Sequence, residues 1–304
     1  MRPVLSLAPL SLVLLSCASM PHPSGSLPGE VERVIARQAR QARQGKQRLI
    51  GVAFQHLGTG ETLSINDRER FHAASTMKIP VMMAFFEAID RGALRLDEPV
   101  PVRNEFHSIM DDSVYTLDPK EDGDPDLYQA VGQSRPLEEL IRRMIVRSSN
   151  LATNLLIERI GASTVMDLMR RIEAYDIQVL RGVEDQKAYD AGMNNATTAN
   201  DLRIALKAIA EGATFSPASS QRMIDILKAQ EFNEKIPAGL PPGTPVAHKT
   251  GDITGIHHDA AIVFPPGEKP YVLVVLTAGF QDEKEADKAI ADISRAVWTH
   301  RGQK

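Results

Sequence analysis

The run Ser75-Thr76-Met77-Lys78-Ile79-Pro80-Val81-Met82-Met83-Ala84-Phe85-Phe86 decides how the rest of the chain is read. A serine and a lysine three residues apart share one face of a helical turn. The residues after Lys78 are apolar almost all round, which predicts a buried helix. Pro80 is tolerable only because it falls in the first turn. The pattern places a hydroxyl at the exposed N-terminus of a core helix, with an amine one turn below. Partial burial eases the loss of a lysine's charge, so the amine can take a proton. A serine needs such a neighbour to become a nucleophile. An N-cap serine followed by a surface lysine has the same spelling, so the pair gains meaning from what lies further along.

Upstream, residues 49–57 read as a strand, Gly58-Thr59-Gly60-Glu61 as a turn, and residues 62–65 as the returning strand. The glycines serve the hairpin and carry no phosphate role. Residues 30–45 set Val31, Val34, Ile35, Ala39 and Ala42 on one side and Arg33, Arg37, Arg40 and Arg43 around the rest, an amphipathic helix. Its basic face reads as solvated, with contact to anionic lipid as the alternative. Residues 18–28 form a tether rich in Pro, Gly and Ser. Residues 5–15 are a short apolar run behind Arg2, too short to span a membrane comfortably. The run ends Leu14-Leu15-Ser16-Cys17, which resembles a bacterial lipoprotein signal. That implies a lipid on Cys17 after cleavage and an exported, membrane-anchored protein facing the periplasm or cell surface. An ordinary secretory signal cut near Ala18 is the alternative. Cys17 is the sole cysteine, so internal disulfides and cysteine-rich metal sites are excluded.

The chain has 304 residues, 43% of them apolar, enough for a core in one large domain or two lobes. A net charge of −4 and 5% aromatic residues give no sign of a nucleic-acid partner.

Downstream, residues 104–135 are polar and carry Asp111, Asp112, Asp118, Glu121, Asp122, Asp124 and Asp126. The spacing lacks the glycine and closing glutamate of a calcium loop, so the segment reads as a solvated surface loop. Residues 136–146 form an amphipathic helix. Ser148-Ser149-Asn150 precedes another apolar helix that Gly161 closes; serines here are ordinary caps, yet a serine and an asparagine two apart can face a cleft together. Residues 164–174 form a further helix. Residues 179–195 have no clear periodicity and read as one long loop. Thr197-Thr198 caps a helix over 199–211, and 217–230 is helical. Strands then cover residues 244–250, 256–264 and 271–278, and an amphipathic helix over 284–300 closes the chain. The adjacent His257 and His258 point to opposite faces of a strand, which argues against a shared metal ion.

Strands therefore stand at both ends of the sequence and helices fill the middle. The fold class is α+β: an antiparallel sheet of about five strands built from both termini, flanked by helices, with an inserted all-α lobe. The partition is a signal over 1–17, the tether over 18–28, a sheet lobe over 29–72 plus 219–304, and a helical lobe over 73–218.

Three signals stand in order: Ser75-x-x-Lys78, Ser148-x-Asn150 and Lys249-Thr250-Gly251. With the blocks 148–161 and Asn195-Ala196-Thr197-Thr198, this set resembles class A serine β-lactamases within the penicillin-binding-protein superfamily. The resemblance covers nearly the whole chain after the tether and implies the β-lactamase/transpeptidase-like fold. It implies Ser75 as the acylated nucleophile, Lys78 as the group that takes or steers its proton, and Ser148 as proton donor to the departing nitrogen. Asn150, Lys249, Thr250, Gly251 and Asp252 form the substrate-binding set, with Lys249 and Thr250 toward a carboxylate. The backbone N–H groups of Ser75 and Asp252 form the oxyanion hole, where losing one donor costs about 2.7–4 kcal/mol. Glu184, 36 residues after Ser148 and inside the long loop, is implied as the base that activates water for deacylation. The chain departs from the family at Ala188, where an asparagine is common, and at Ser149, where an aspartate is usual. The stretch between Ser75 and Ser148 is also longer, and either Tyr115 or Tyr128 stands for the gate tyrosine.

The resemblance implies a metal-free, cofactor-free monomer that opens β-lactams through an acyl-enzyme. A peptidase, esterase or amidase on peptidoglycan-derived peptides with weak lactam hydrolysis is the alternative. A degenerate binding lipoprotein is a third reading, and the intact Ser75, Lys78, Ser148 and Lys249 argue against it.

Overall fold

Hydrophobic alternation on the central strands explains the architecture. The computed structural model describes residues 26–41 and 47–301. Helix α1 (Leu27–Gln41) precedes the hairpin β1 (Leu49–His56) and β2 (Thr62–Ile65). Helices α2 (Lys78–Asp90), α3 (Leu137–Val146), α4 (Asn150–Ile160), α5 (Ala162–Arg171) and α6 (Gln186–Asp190) follow. Then come α7 (Ala199–Glu211), α8 (Pro217–Lys228), β3 (Val246–Ile253), β4 (Ile256–Val263), β5 (Tyr271–Ala278) and α9 (Glu283–Arg301).

The five strands pair antiparallel in the order β2-β1-β5-β4-β3. On β5, Val272, Val274 and Leu276 belong to the cluster under α2 and α7, whereas Tyr271, Leu273 and Val275 belong to the cluster under α1 and α9. Both faces of that strand are covered, which is why it reads as one unbroken apolar run. The α1–α9 pair closes one face, and α7 and α8 lie on the other. Helix α2 is buried on all sides from Lys78 to Phe86, and each such apolar side chain contributes about 1.5–3 kcal/mol. Its apolar cluster runs without a break from Ala260 and Val274 through Leu202 and Met82 to Leu140 and Leu151.

Two boundaries differ from the sequence reading. Leu27 is 2% exposed and, with Pro28, opens α1, so the tether cannot extend to residue 28. Proline is at home in a first helical turn, and Leu27 buries against the sheet. The long 179–195 loop contains α6, too short for a periodic signature. On α1, Arg33 pairs with Glu30 at 3.7 Å and Arg37 with Asp292, so much of its basic face is engaged within the chain. Cys17 and Arg43 lie outside the described residues. Among those described, no helix is long and apolar enough to cross a membrane.

Candidate active site

Ser75 sits in a 3-10 turn, Ala74–Met77, immediately ahead of α2. The spacing alone predicts the first turn of the α-helix itself. The turn is tightened because Thr76 donates to the carbonyl of Ala73 from both its backbone N–H (3.1 Å) and its hydroxyl (2.6 Å). Ala74 is held at φ 44°, and its N–H donates to His72 Nδ1 at 3.0 Å. Strand β3 runs directly behind the nucleophile. A methyl on Gly251 would stand 3.0 Å from the backbone nitrogens of both Ser75 and Thr76, so only glycine lets the two backbones approach this closely.

Lys78 is wholly buried, one turn below Ser75. Its Nζ lies 2.7 Å from Ser148 O, 3.2 Å from Ser148 Oγ and 3.0 Å from Asn150 Oδ1. Lys249 Nζ approaches the same Ser148 hydroxyl at 3.0 Å from the other side and donates to Thr250 O at 3.0 Å. Ser148 therefore stands between two amines. Burial lowers Lys78 to about 7, against the opposing pull of the Asp122 and Glu184 carboxylates. Burial first, and the charge of Lys78 second, hold Lys249 well below the usual lysine range. Near neutral pH an amine of this kind exchanges a proton readily. Among the described residues, the non-glycine positions with positive φ include Ala74, Ser148 (58°) and Glu184 (63°). Such strain persists where the surroundings over-determine a functional group.

Most of the acidic segment is the solvated loop its composition predicts, with Asp111, Asp112, Asp118, Glu121 and Asp126 exposed, but two of its carboxylates turn inward. Asp122 is 7% exposed and Asp124 fully buried. Asp122 accepts from Asn150 N at 3.0 Å, Leu151 N at 2.8 Å, Tyr128 Oη at 2.9 Å and Asp124 N at 2.9 Å. It places a carboxylate on the N-terminus of α4, where free N–H groups and the helix dipole favour negative charge. Asp124 accepts from Arg143 at 2.8 Å and Arg147 at 2.6 Å, tying the loop to α3. Ser149 caps α4 by accepting from Ala152 N at 3.2 Å. The longer segment thus supplies, through Asp122, a carboxylate at the helix that carries Asn150.

Glu184 faces Asn150 across the cleft and accepts from Asn150 Nδ2 at 2.7 Å. Its partial burial raises the carboxyl above the usual range, opposed by that hydrogen bond and by Lys78. Both neighbours are clamped. Asn154 accepts from Val183 N at 2.7 Å and donates to Val183 O at 3.0 Å. Asp185 accepts from Ser108 Oγ at 2.9 Å and Ile109 N at 3.0 Å. Ala188 is fully buried in α6 and caps nothing in the cleft.

These groups converge on a cleft of about 280 Å³ whose lining includes Ser75, Asn150, Glu184 and Asp252. At its β3 edge, Lys235 Nζ lies 2.7 Å from each oxygen of Asp252, and His257 Nδ1 lies 2.9 Å from Asp252 Oδ1. Asp252, His257 and Glu283 bring potential ligand atoms within 4.8 Å of one another, but the Lys235 ammonium already occupies Asp252. His258 turns its ring inward instead, 2.9 Å from His72 O and 3.1 Å from Thr277 N, so the two imidazoles do not share a site.

Of the residues singled out in the sequence, Ser75, Asn150, Glu184 and Asp252 line the cleft, Lys78, Ser148 and Lys249 form a hydrogen-bonded cluster joined to it through Asn150, and Gly251 backs Ser75 on β3 beside the buried Thr250; Cys17 lies outside the described residues. Neither tyrosine named as a gate lines the cleft: Tyr128 is spent on Asp122, and Tyr115 Oη lies 3.4 Å from Val183 O. Tyr189 lines it instead, with its ring against His72 at 6.2 Å. Asp122, Asn154, Asp185, Tyr189 and Lys235 were not visible as site residues. The acidic run pointed at Asp122's segment, but nothing local marked which of its carboxylates turns inward.

The model of the beta-lactamase enzyme family matches residues 30–301. The carbapenem-hydrolyzing beta-lactamase KPC of Klebsiella oxytoca is 26% identical, over 93% of this chain and 94% of that protein. A beta-lactamase of Bacillus licheniformis is 29% identical, over 82% of this chain and 78% of that protein. Among solved structures, a mutant of PBP-A in an acyl-enzyme complex with penicillin-G superposes with TM-score 0.76 at 26% identity, covering 93% of this chain and 99% of that one. A beta-lactamase from Sphaerobacter thermophilus DSM 20745 superposes with TM-score 0.76 at 27% identity, covering 90% and 98%.

Proposed function

The chain belongs to the beta-lactamase enzyme family and is a class A β-lactamase-like hydrolase, and from that premise we propose that it opens its substrate through an ester on Ser75. Lys78, as the neutral amine, takes the Ser75 proton while Oγ bonds to the carbonyl carbon. The oxygen that gains charge is received by the N–H groups of Ser75 and Asp252. The carbon–nitrogen bond breaks, the nitrogen takes the Ser148 proton, and Lys78 returns its proton to Ser148. Water then attacks the ester. Glu184 takes its proton as the water oxygen bonds to the carbonyl carbon. The bond to Ser75 Oγ then breaks, the proton held by Glu184 passes to that oxygen, and the acid product departs with Ser75 and Glu184 restored.

The observation that carries this reading is the double contact on Ser148 Oγ, 3.2 Å from Lys78 Nζ and 3.0 Å from Lys249 Nζ. A hydroxyl between two amines can accept from one and donate to the other, which is what a relay needs. The closeness of Gly251 to Ser75 N supports the oxyanion hole.

The test is Glu184→Gln. The hydrogen bond from Asn150 survives, but the base is lost, so deacylation should slow by about 10²–10⁴-fold and penicillin should leave a stable adduct on Ser75. A second reading, a peptidoglycan peptidase with slow lactam turnover, is favoured by Ala188, whose buried methyl cannot help hold a water. An adduct on the wild type that persists for minutes would select it.

The proposal extends to location: export behind residues 1–17, a lipid on Cys17, and a monomer facing the periplasm or cell surface. Radiolabelled palmitate on the wild type and none on Cys17→Ser is the expected result.

A further inference from the structure

The cation seat at the β3 edge is already filled by a carboxylate of this chain. Lys235 is 5% exposed at its side chain, and its ammonium is bracketed by both oxygens of Asp252, with Asp287 3.7 Å away. His257 supplies a further donor to the same Asp252 oxygen. Asp252 itself is 36% exposed at its side chain and lines the cleft. The other cations nearby are engaged elsewhere. Lys249 is buried against Ser148 and Thr250 O, and Arg181 donates to Met193 O, Gly182 O and Asn194 Oδ1.

Side chains two apart on a strand project to the same side, about 7 Å apart. Thr250 and Asp252 are such a pair on β3. Thr250 is 3% exposed, so of this pair Asp252 is the one that lines the cleft. A substrate carboxylate that reaches this edge meets the Asp252 carboxylate, and the Lys235 and His257 groups that could receive it are taken. Like charges juxtaposed across a contact suppress the wrong partner.

We propose that Asp252 is a specificity-determining residue: an internal carboxylate that fills the cation seat and biases the site toward acyl donors with no negative charge beside the scissile bond. The favoured class is uncharged esters and amides, cyclic or open. The inference rests on the Ser75 acyl-enzyme reading and deepens it.

The experiment compares a cephalosporin free acid with its methyl ester on the purified full chain, following the initial rate of lactam consumption at low substrate by absorbance, with the adduct mapped to Ser75 by mass in full-chain Glu184→Gln. The wild type is expected to react with the ester at least as fast as with the acid. Asp252→Asn keeps the shape and removes the charge. It should raise the acid-to-ester rate ratio about tenfold, whatever it does to the two rates together. An acid preference of tenfold or more in the wild type overturns the proposal, as does an unchanged acid-to-ester ratio in Asp252→Asn. If thermal melting shows that the variant does not fold, the wild-type ratio alone decides. Adducts with an unchanged ratio refute the role of Asp252 and leave the Ser75 reading standing. Absence of any consumption by either protein, together with absence of any adduct in Glu184→Gln, refutes both.

Discussion

Replacing Asp122 by asparagine separates a structural carboxylate from a solvated one. Asp122 accepts from four donors: Asn150 N, Leu151 N, Asp124 N and Tyr128 Oη. An asparagine oxygen can serve two of these, and its NH₂ would face the rest. Each buried donor left unpaired costs about 1–3 kcal/mol, which gives about 2–6 kcal/mol for the two displaced. The lower half is expected, because Asn150 N is only partly buried and water can reach it. The charge change has a second effect of known sign. Asp122 raises Lys78, which burial has brought to about 7. Without Asp122 the amine loses its proton at a lower pH, so the acylation profile moves toward acid. The assay is thermal melting, with pH-resolved acylation by a lactam. Asp126→Asn is the control, since that carboxylate is exposed and among the described residues pairs with Arg147 at 2.9 Å; its cost should stay within about 1 kcal/mol. Equal melting temperatures for the two variants, with superimposable pH profiles, would refute the placement of Asp122.

Other outcomes follow from the same geometry. Acylation by the wild type should rise with pH through about 7 and level off above, because Lys78 acts as the neutral amine; a rate that falls over that interval contradicts the role given to it. Gly251→Ala brings a methyl to 3.0 Å from Ser75 N, so β3 must shift away from the nucleophile. Acylation should drop by about tenfold or more, with a smaller loss of stability, of about 1–3 kcal/mol; unchanged acylation kinetics would show that the close approach is not needed.

Where a side chain's role is set by short-range pattern, the sequence was enough. Helix α2 was legible because a run that is apolar all round has no solvent face to present. The central strands were legible because their residues serve two cores in alternation. Ser75, Lys78, Ser148 and Lys249 were legible because three spaced motifs in a fixed order are rarer than any one of them. What escaped depends on distant partners. Asp122 has the same letters around it as Asp118 or Asp126, and only the arrival of the α4 N-terminus turns it inward. Asn154 reads as a polar position on a buried helix until Val183 is laid against it. Lys235 carries no local signal at all; its partner Asp252 is 17 residues on. The tether was drawn too long because Leu27-Pro28-Gly29 has the composition of a linker, although Leu27 buries as fully as a core residue.

Intact-mass spectrometry of Glu184→Gln mixed with penicillin G tests the central claim most directly, with the Ser75→Ala/Glu184→Gln double variant alongside. The expected result is a gain of one penicillin mass, mapped to the peptide that contains Ser75 and absent from the double variant. A Glu184→Gln protein that never gains mass, or a double variant that gains it equally, contradicts the acylation of Ser75.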